Sequence, residues 1–365
     1  MTELDDVMPT EQLALRPDVD VLVSRLTLEE KVRLLTGRDF WTTHPSDEIG
    51  LRSMRFSDGP SGVRGELWDE RFPSLNLPCG SALGATWDPA IARRFGEVAA
   101  AEARRKGVDV VLGPTINLHR SPLGGRHFES YSEDPHLTGE LSAAYVLGLQ
   151  SGGVGATPKH YVANDFETDR FTVDVEVSER ALRELYLAPF ERTVEQARPW
   201  AIMSAYNGVN GSPMTENRLL EAPLKSEWGF DGVVVSDWAA VKTVESAQFA
   251  QDLVMPGPAG PWGSDLVDAV REGSIDEEVI DEKVRRLLIL AERVGALDAL
   301  SVVNEGEIVD AQDHAGFARE AAIAGSVLVR NEGLLPLAPE GVSSIAVIGA
   351  NALRPRTQGG GSATG

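Results

Sequence analysis

Cysteine is almost absent: Cys79 stands alone among 365 residues, so no disulfide can form within the chain. Histidine is scarce as well. The six, His44, His119, His127, His136, His160 and His314, show no metal-ligand spacing, and no metal is expected. No apolar run approaches the roughly 18 to 20 residues of a membrane span. Basic residues are outnumbered, 34 to 56, for a formal net charge of -22. An acidic balance of that size argues against nucleic acid and anionic membrane as partners. It is compatible with neutral substrates such as sugars. The opening "MTELDDVMPTEQL" has neither the basic n-region nor the apolar h-region of a secretory signal. A cytoplasmic location is expected, with secretion left open. Cofactor signatures are missing too. "IAVIGANA" has the look of a nucleotide-binding turn but lacks G-x-G-x-x-G, and "GGGSATG" has no lysine, so neither motif is complete. No cofactor is expected.

What the chain does have is a large core in prospect, with 42% apolar and 25% charged residues, an ordinary globular balance. Its length predicts about two domains. From residue 54 to 256 strand and helix signals alternate. "DPAIARRFGEVAAAEARRKG" carries Asp88 as N-cap, Pro89 at the first helical position and Gly107 as the stop. "LTLEEKVRLLTG" places Thr27 and Glu30 in capping-box spacing. "VDVVLGPTI", "VGATPKHYVA", "AIMSAYN", "GVVVSDW" and "DLVMPGP" read as strands, with helices expected over "SERALRELYLAPFERTVEQA", "NRLLEAPLKSEWGF" and "AVKTVESAQFAQ". Apolar strands separated by helices imply a parallel sheet covered on both faces. Seven or eight such units predict an α/β fold, a (β/α)8 TIM-like barrel, followed by an incomplete α/β sandwich. The boundaries are 1–297 for the barrel, 298–312 for a linker and 313–365 for the start of a truncated sandwich domain, with a strand expected in "SIAVIGAN".

Polar residues fall where these strands end. Asp58, Asn117, Lys159 with His160, Tyr206 with Asn207, and Asp237 with Trp238 all follow apolar runs. In barrels that is the face where active sites are built. The run "DGVVVSDWAA" poses the question most sharply, because an ionised carboxylate at the edge of a dry interior costs energy unless bonded or paired. Asp237 taken alone reads equally as an N-cap for a helix beginning near Ala239. Alongside Lys159, His160, Arg126 and Trp238 it reads as a site. In "GGRHFESYSEDP", Arg126 follows two glycines and could project its fork of donors into a pocket.

These stretches resemble glycoside hydrolase family 3, in its β-glucosidase-like branch. The resemblance rests on "SDGPSGVR", "GRHFESYSEDP", "PKHYVANDFE", "IMSAYNGVNG", "VVVSDWAA", "SVLVRNEGLLPL" and "GGGSA", seven collinear motifs from about residue 20 to 363. It implies that Asp237 is the catalytic nucleophile and Trp238 the aromatic wall beside it. It implies that Asp58, Arg126, Lys159 and His160 bind sugar hydroxyls, and that Arg64, Met203 and Tyr206 complete the lining. In that branch the acid/base glutamate lies on the second domain, downstream of the Gly-rich loop. The hexosaminidase-like branch uses an Asp-His pair after the Lys-His strand, but here "VANDFETDRFTVD" has no histidine.

The expected function is therefore a retaining β-glucosidase acting on terminal β-D-glucosyl residues of a β-glucoside or oligosaccharide through a glycosyl-Asp237 intermediate. Its acid/base carboxylate is expected from downstream sequence, as a fragment or chain completing the second domain. General acid catalysis contributes on the order of 10²- to 10⁴-fold, so the chain by itself is expected to be weak or inactive. Two alternatives stand beside this reading. One is a catalytically incomplete sugar-binding subunit, and the other a Schiff-base barrel lyase using Lys159.

Overall fold

The computed structural model describes residues 18–66, 73–297 and 311–355, together with Gly360. Its strands are β1 (Phe56–Asp58), β2 (Val110–Leu112), β3 (Gly155–Ala156), β4 (Asp174–Val175), β5 (Ala201–Ser204), β6 (Gly208–Val209), β7 (Ser212–Pro213) and β8 (Val233–Ser236). β1, β2 and β3 pair in parallel, Phe56 with Val110 and Val110 with Gly155. Beyond β3 single parallel bridges carry the wall onward, Thr115 to Lys159 and Tyr161 to Ser204. β5 and β8 pair over four positions. Val235 then bridges to Leu253, and Val254 to Thr36. The ring closes through the segment ahead of β1, where Thr42 pairs antiparallel with Arg55 and the Phe56 amide donates to the Trp41 carbonyl at 2.8 Å. The result is a TIM-type barrel.

Three consecutive valines in β8 fit this wall because successive side chains point to opposite faces. Val234 packs outward with Val111, Ala156 and Ile202 against the helices. Val233 and Val235 pack with Val110, Leu112 and Met203. All three valines are sealed from solvent.

The helices start as the sequence predicts. Asp88 accepts from the Ala90 amide, Pro89 opens the helix Pro89–Arg105, and Gly107 (φ 63°) supplies the left-handed stop. Asp134 and Pro135 repeat the device for Pro135–Ser151. These two helices cross closely at Gly96 and Gly148, where an added Cβ would lie 2.2 Å from the Tyr145 carbonyl oxygen and 2.0 Å from that of Arg93. Thr27 and Glu30 form the expected capping box, and a long helix, Glu277–Arg293, follows the last strand of the wall.

Three expectations about secondary structure fail. The helix expected over 217–230 is broken into short turns, because Ala222 before Pro223 is extended (φ -122°, ψ 118°), as a residue ahead of proline prefers. After Asp237 no helix begins. Ala239 is left-handed (φ 62°), and only the short 3-10 turn Glu245–Gln248 follows. "SIAVIGAN" forms no strand. Ile345 and Ile348 are 70% and 90% exposed, and no described strand lies beside them to take their backbone groups.

Of the expected linker, residues 298–310 lie outside the described residues. The helix Ala311–Ala324 follows and docks on the barrel. Phe317 and Ala321 are buried in the outer core, and Arg94 sits over the Phe317 ring at 4.9 Å. Among the described residues no helix is long and apolar enough to cross a membrane, and no cluster of His, Cys, Asp or Glu could hold a metal.

Candidate active site

The nine residues to which the resemblance gave a role line one hollow at the C-terminal mouth of the barrel: Asp58, Arg64, Arg126, Lys159, His160, Met203, Tyr206, Asp237 and Trp238; Asn117 and Asn207, the other strand-end residues, do not. Its volume is about 410 Å³, within the roughly 300–1,000 Å³ of small-molecule sites. Gly360 also reaches this lining.

Asp237 directly follows β8. Its amide donates to the Ser204 carbonyl at 3.1 Å, so the sheet register fixes its backbone. Oδ1 accepts from the Trp238 amide at 2.8 Å. Oδ2 is buried and accepts no hydrogen bond from any described residue. Burial pushes this carboxyl up from its ordinary range, against the opposing pull of Lys159, Arg126, the Trp238 amide and Tyr206. Since no helix starts here, Asp237 is not an N-cap. It is a carboxylate with one oxygen tethered and the other bare.

One wall of the hollow is a chain of opposite charges. Arg64 reaches Asp58 Oδ2 at 3.2 Å and Lys159 Nζ reaches Oδ1 at 3.4 Å. Arg64 and Lys159 are buried, as is Glu129, whose two oxygens accept from Arg126 Nε and Nη2 at 3.2 and 3.0 Å. Burial alone would weaken the Arg126 charge, but Glu129, Glu167 and Asp237 together hold it firmly in place. Arg64, Arg126, Lys159 and Asp58 all line the hollow.

His160 is buried on the same wall. Its Nδ1 lies 3.1 Å from Asn117 Oδ1, and its Nε2 lies 3.7 Å from Asp237 Oδ2. Burial, reinforced by Arg126, Lys159 and Arg170, holds the imidazole well below its ordinary value, so the ring is neutral near pH 7.

The hollow also has a flat, aromatic part. The Trp238 indole lies 5.4 Å from Trp41 and 6.3 Å from Phe40, with its Nε1 donating to the Phe40 carbonyl at 2.9 Å. The Tyr206 hydroxyl donates to the Trp238 carbonyl at 2.9 Å. The Tyr206 ring meets Phe171 edge-on at 4.6 Å, and Arg170 lies over both. Phe40, Trp41, Phe128, Glu129 and Arg170 line the hollow too, and sequence reasoning missed their role. For Phe40 and Trp41 a usable signal was present: an aromatic pair in a polar turn, "GRDFWTTH", ahead of the first strand. Charged side chains, a planar apolar surface and a carboxylate with a bare oxygen in one hollow suit a small neutral ring rich in hydroxyls.

Comparison with known proteins agrees with that chemistry. The model of the glycosyl hydrolase family 3 N-terminal domain matches residues 58–290. The chain is 46% identical over 348 residues to a beta-glucosidase of Rhizobium radiobacter, covering 94% of this chain and 42% of that protein. It is 41% identical to thermostable beta-glucosidase B of Acetivibrio thermocellus, covering 94% and 46%. The structure of beta-glucosidase 3B from Thermotoga neapolitana in complex with alpha-D-glucose superposes with a TM-score of 0.83 at 40% identity, over 88% of this chain and 48% of that one. Beta-glucosidase from Kluyveromyces marxianus in complex with glucose gives 0.82 at 37%, over 88% and 40%. The chain thus spans less than half the length of these relatives.

Proposed function

This chain belongs to glycosyl hydrolase family 3, and we propose that it forms the catalytic barrel of a β-glucosidase, with Asp237 as nucleophile. The observation that carries this reading is the bare, buried Oδ2 of Asp237 facing a hollow lined with donors, acceptors and indole. A β-glucosyl ring would rest on Trp238 while Lys159, Arg126 and Asp58 take its hydroxyls. Oδ2 then attacks the anomeric carbon and the aglycone oxygen departs, leaving a glycosyl ester on Asp237. Water opens that ester in a second displacement, with net retention of configuration.

A retaining enzyme also needs an acid/base carboxyl about 5 to 5.5 Å from the nucleophile. Asp58 and Glu129 are the other carboxylates lining the hollow, and both are engaged by cations: Asp58 by Lys159 and Arg64, Glu129 by Arg126. We assign the acid/base to sequence beyond the described residues, consistent with relatives more than twice as long. The Schiff-base alternative is disfavoured, because Lys159 Nζ is held by the Asp58 carboxylate. A nucleophilic lysine sits instead in an apolar pocket or beside another cation.

The test is covalent labelling with 2,4-dinitrophenyl 2-deoxy-2-fluoro-β-glucoside, whose leaving group needs no protonation. A glucosyl adduct on the peptide bearing Asp237, absent from Asp237→Asn, is the expected result. Glucose binding without any adduct would leave the chain a sugar-binding subunit.

A further inference from the structure

We propose that Asn117 is a positioning residue that fixes His160 as the Nδ1–H tautomer, so that Nε2 meets the substrate as a bare acceptor. This rests on the reading of the hollow as a sugar site and adds a residue to it. Asn117 does not line the hollow; it follows β2 and lies behind His160. Three contacts join the two side by side. The His160 amide donates to Asn117 Oδ1 at 2.8 Å, and Asn117 Nδ2 donates to the His160 carbonyl at 2.9 Å. Exchanging the amide oxygen and nitrogen would set two acceptors together and two donors together, so the main chain of His160 locks the amide. The same Oδ1 lies 3.1 Å from Nδ1. It can only accept, and Nδ1 must therefore carry the hydrogen. Both residues are buried, so no solvent competes for these bonds.

The consequence appears at Nε2, 3.7 Å from Asp237 Oδ2. With its proton at Nδ1, the ring offers Nε2 as a lone pair beside a carboxylate oxygen. The other side chains of that wall offer the sugar donors (Lys159, Arg126, Arg64) or a carboxylate (Asp58). A neutral acceptor here takes one substrate hydroxyl hydrogen without neutralising the nucleophile. A proton on Nε2 would instead set a positive hydrogen toward Oδ2, 3.7 Å away, and draw charge from the atom that must attack. An amide behind the ring, in place of a carboxylate, keeps the imidazole weakly basic and prevents that ion pair. The charged groups around His160 act in the same direction. Lys159, Arg126 and Arg170 oppose a fourth positive charge, while the nearby Asp237 carboxylate favours one. Asp165, Glu167 and His127 face it across a small adjoining gap.

The experiment has two arms. In the first, 15N-histidine NMR on the wild-type chain, assigned by loss of signals in His160→Gln, reads the ring directly. Nδ1 protonated and Nε2 bare between about pH 5 and 8 is expected; a proton on Nε2 overturns the proposal. In the second, the rate of adduct formation with the fluoroglucoside is followed against pH. Asn117→Asp keeps both acceptor contacts but adds charge, so the acidic limb should move up by about one pH unit or more. Asn117→Ala should slow labelling roughly 10- to 100-fold, the size of loss seen when the partner that orients a metal-bound histidine is removed. An unmoved limb in Asn117→Asp, with circular dichroism showing native fold, also overturns it. Failure of the wild type to form any adduct would sink the nucleophile assignment instead, and the NMR arm would still decide the tautomer.

Discussion

Glu129 accepts both Arg126 Nε and Nη2, at 3.2 and 3.0 Å, from a position almost closed to solvent. The pair turns a loop arginine into a rigid part of the wall. Removing one partner of a buried pair costs about 3 kcal/mol or more, since the other charge stays behind uncompensated. Glu129→Ala is therefore expected to lower stability by about 3 kcal/mol and to weaken glucose binding as well, because Arg126 loses its aim. Denaturant melts and calorimetry with glucose check both; unchanged glucose affinity would show that Arg126 is positioned by something else.

Asp237 holds its place at a cost to the fold. Burial raises its carboxyl above the ordinary value of 3.8, so the folded state takes up a proton more readily than the unfolded chain. The ionised form is then destabilising: the cost is full above the raised value, shrinks as pH falls through it, and is gone below 3.8. Asp237→Asn should raise stability at pH 7 by on the order of 1 kcal/mol, with the gain fading toward acid. Melting curves at several pH values would show this, and a gain that grew toward acid would contradict it. The same substitution should lower the labelling rate at least about 10⁴-fold.

Trp238 supplies the flat wall. Trp238→Ala removes that surface and frees the Phe40 carbonyl, and about 2 kcal/mol of binding should be lost, roughly 30-fold in glucose affinity. Trp238→Phe should recover part of it. Equal losses in the two variants would move the sugar platform elsewhere.

Lys283 tests a buried charge outside the hollow. Burial brings its amine down to about 7 from 10.5, and Nζ donates to the Phe249 carbonyl at 2.6 Å. Between those two values the unfolded chain binds more protons, so stability rises with pH across the window. Lys283→Met abolishes that slope. The variant should be more stable than wild type at pH 6, and level or less stable at pH 10, where the neutral amine keeps its hydrogen bond. Urea midpoints at the two pH values give the answer, and parallel curves would refute it.

The site was largely legible in the sequence because its members share one grammar. Asp58, Lys159, His160, Tyr206 and Asp237 each follow an apolar strand, and a barrel gathers strand ends into one mouth. Phe40 and Trp41 obey no such rule. They arrive through an antiparallel closure ahead of β1, which a repeating βα pattern does not foresee. Arg170 and Phe171 lie in a polar loop whose only marker was composition, and their stacking on Tyr206 is long-range.

The helix errors have local causes. Over 217–230 a single helix was expected, yet Pro223 forces its predecessor out of helical geometry. "SIAVIGAN" reads as a strand on apolar content alone, but a strand exists only with a neighbour to bond. Asn117 shows the subtler limit. Its place after a strand was visible, but not that it would stand behind His160 and face that residue's main chain.

The two indoles at the mouth have an optical consequence. Trp41 and Trp238 lie 5.4 Å apart and tilted by 48°, close enough for their excited states to couple and give a paired near-ultraviolet dichroic signal. A ligand settling on one face of Trp238 would perturb that signal without any attached dye. Occupancy of the mouth can thus be read spectroscopically in the unlabelled protein, even with ligands that are never turned over.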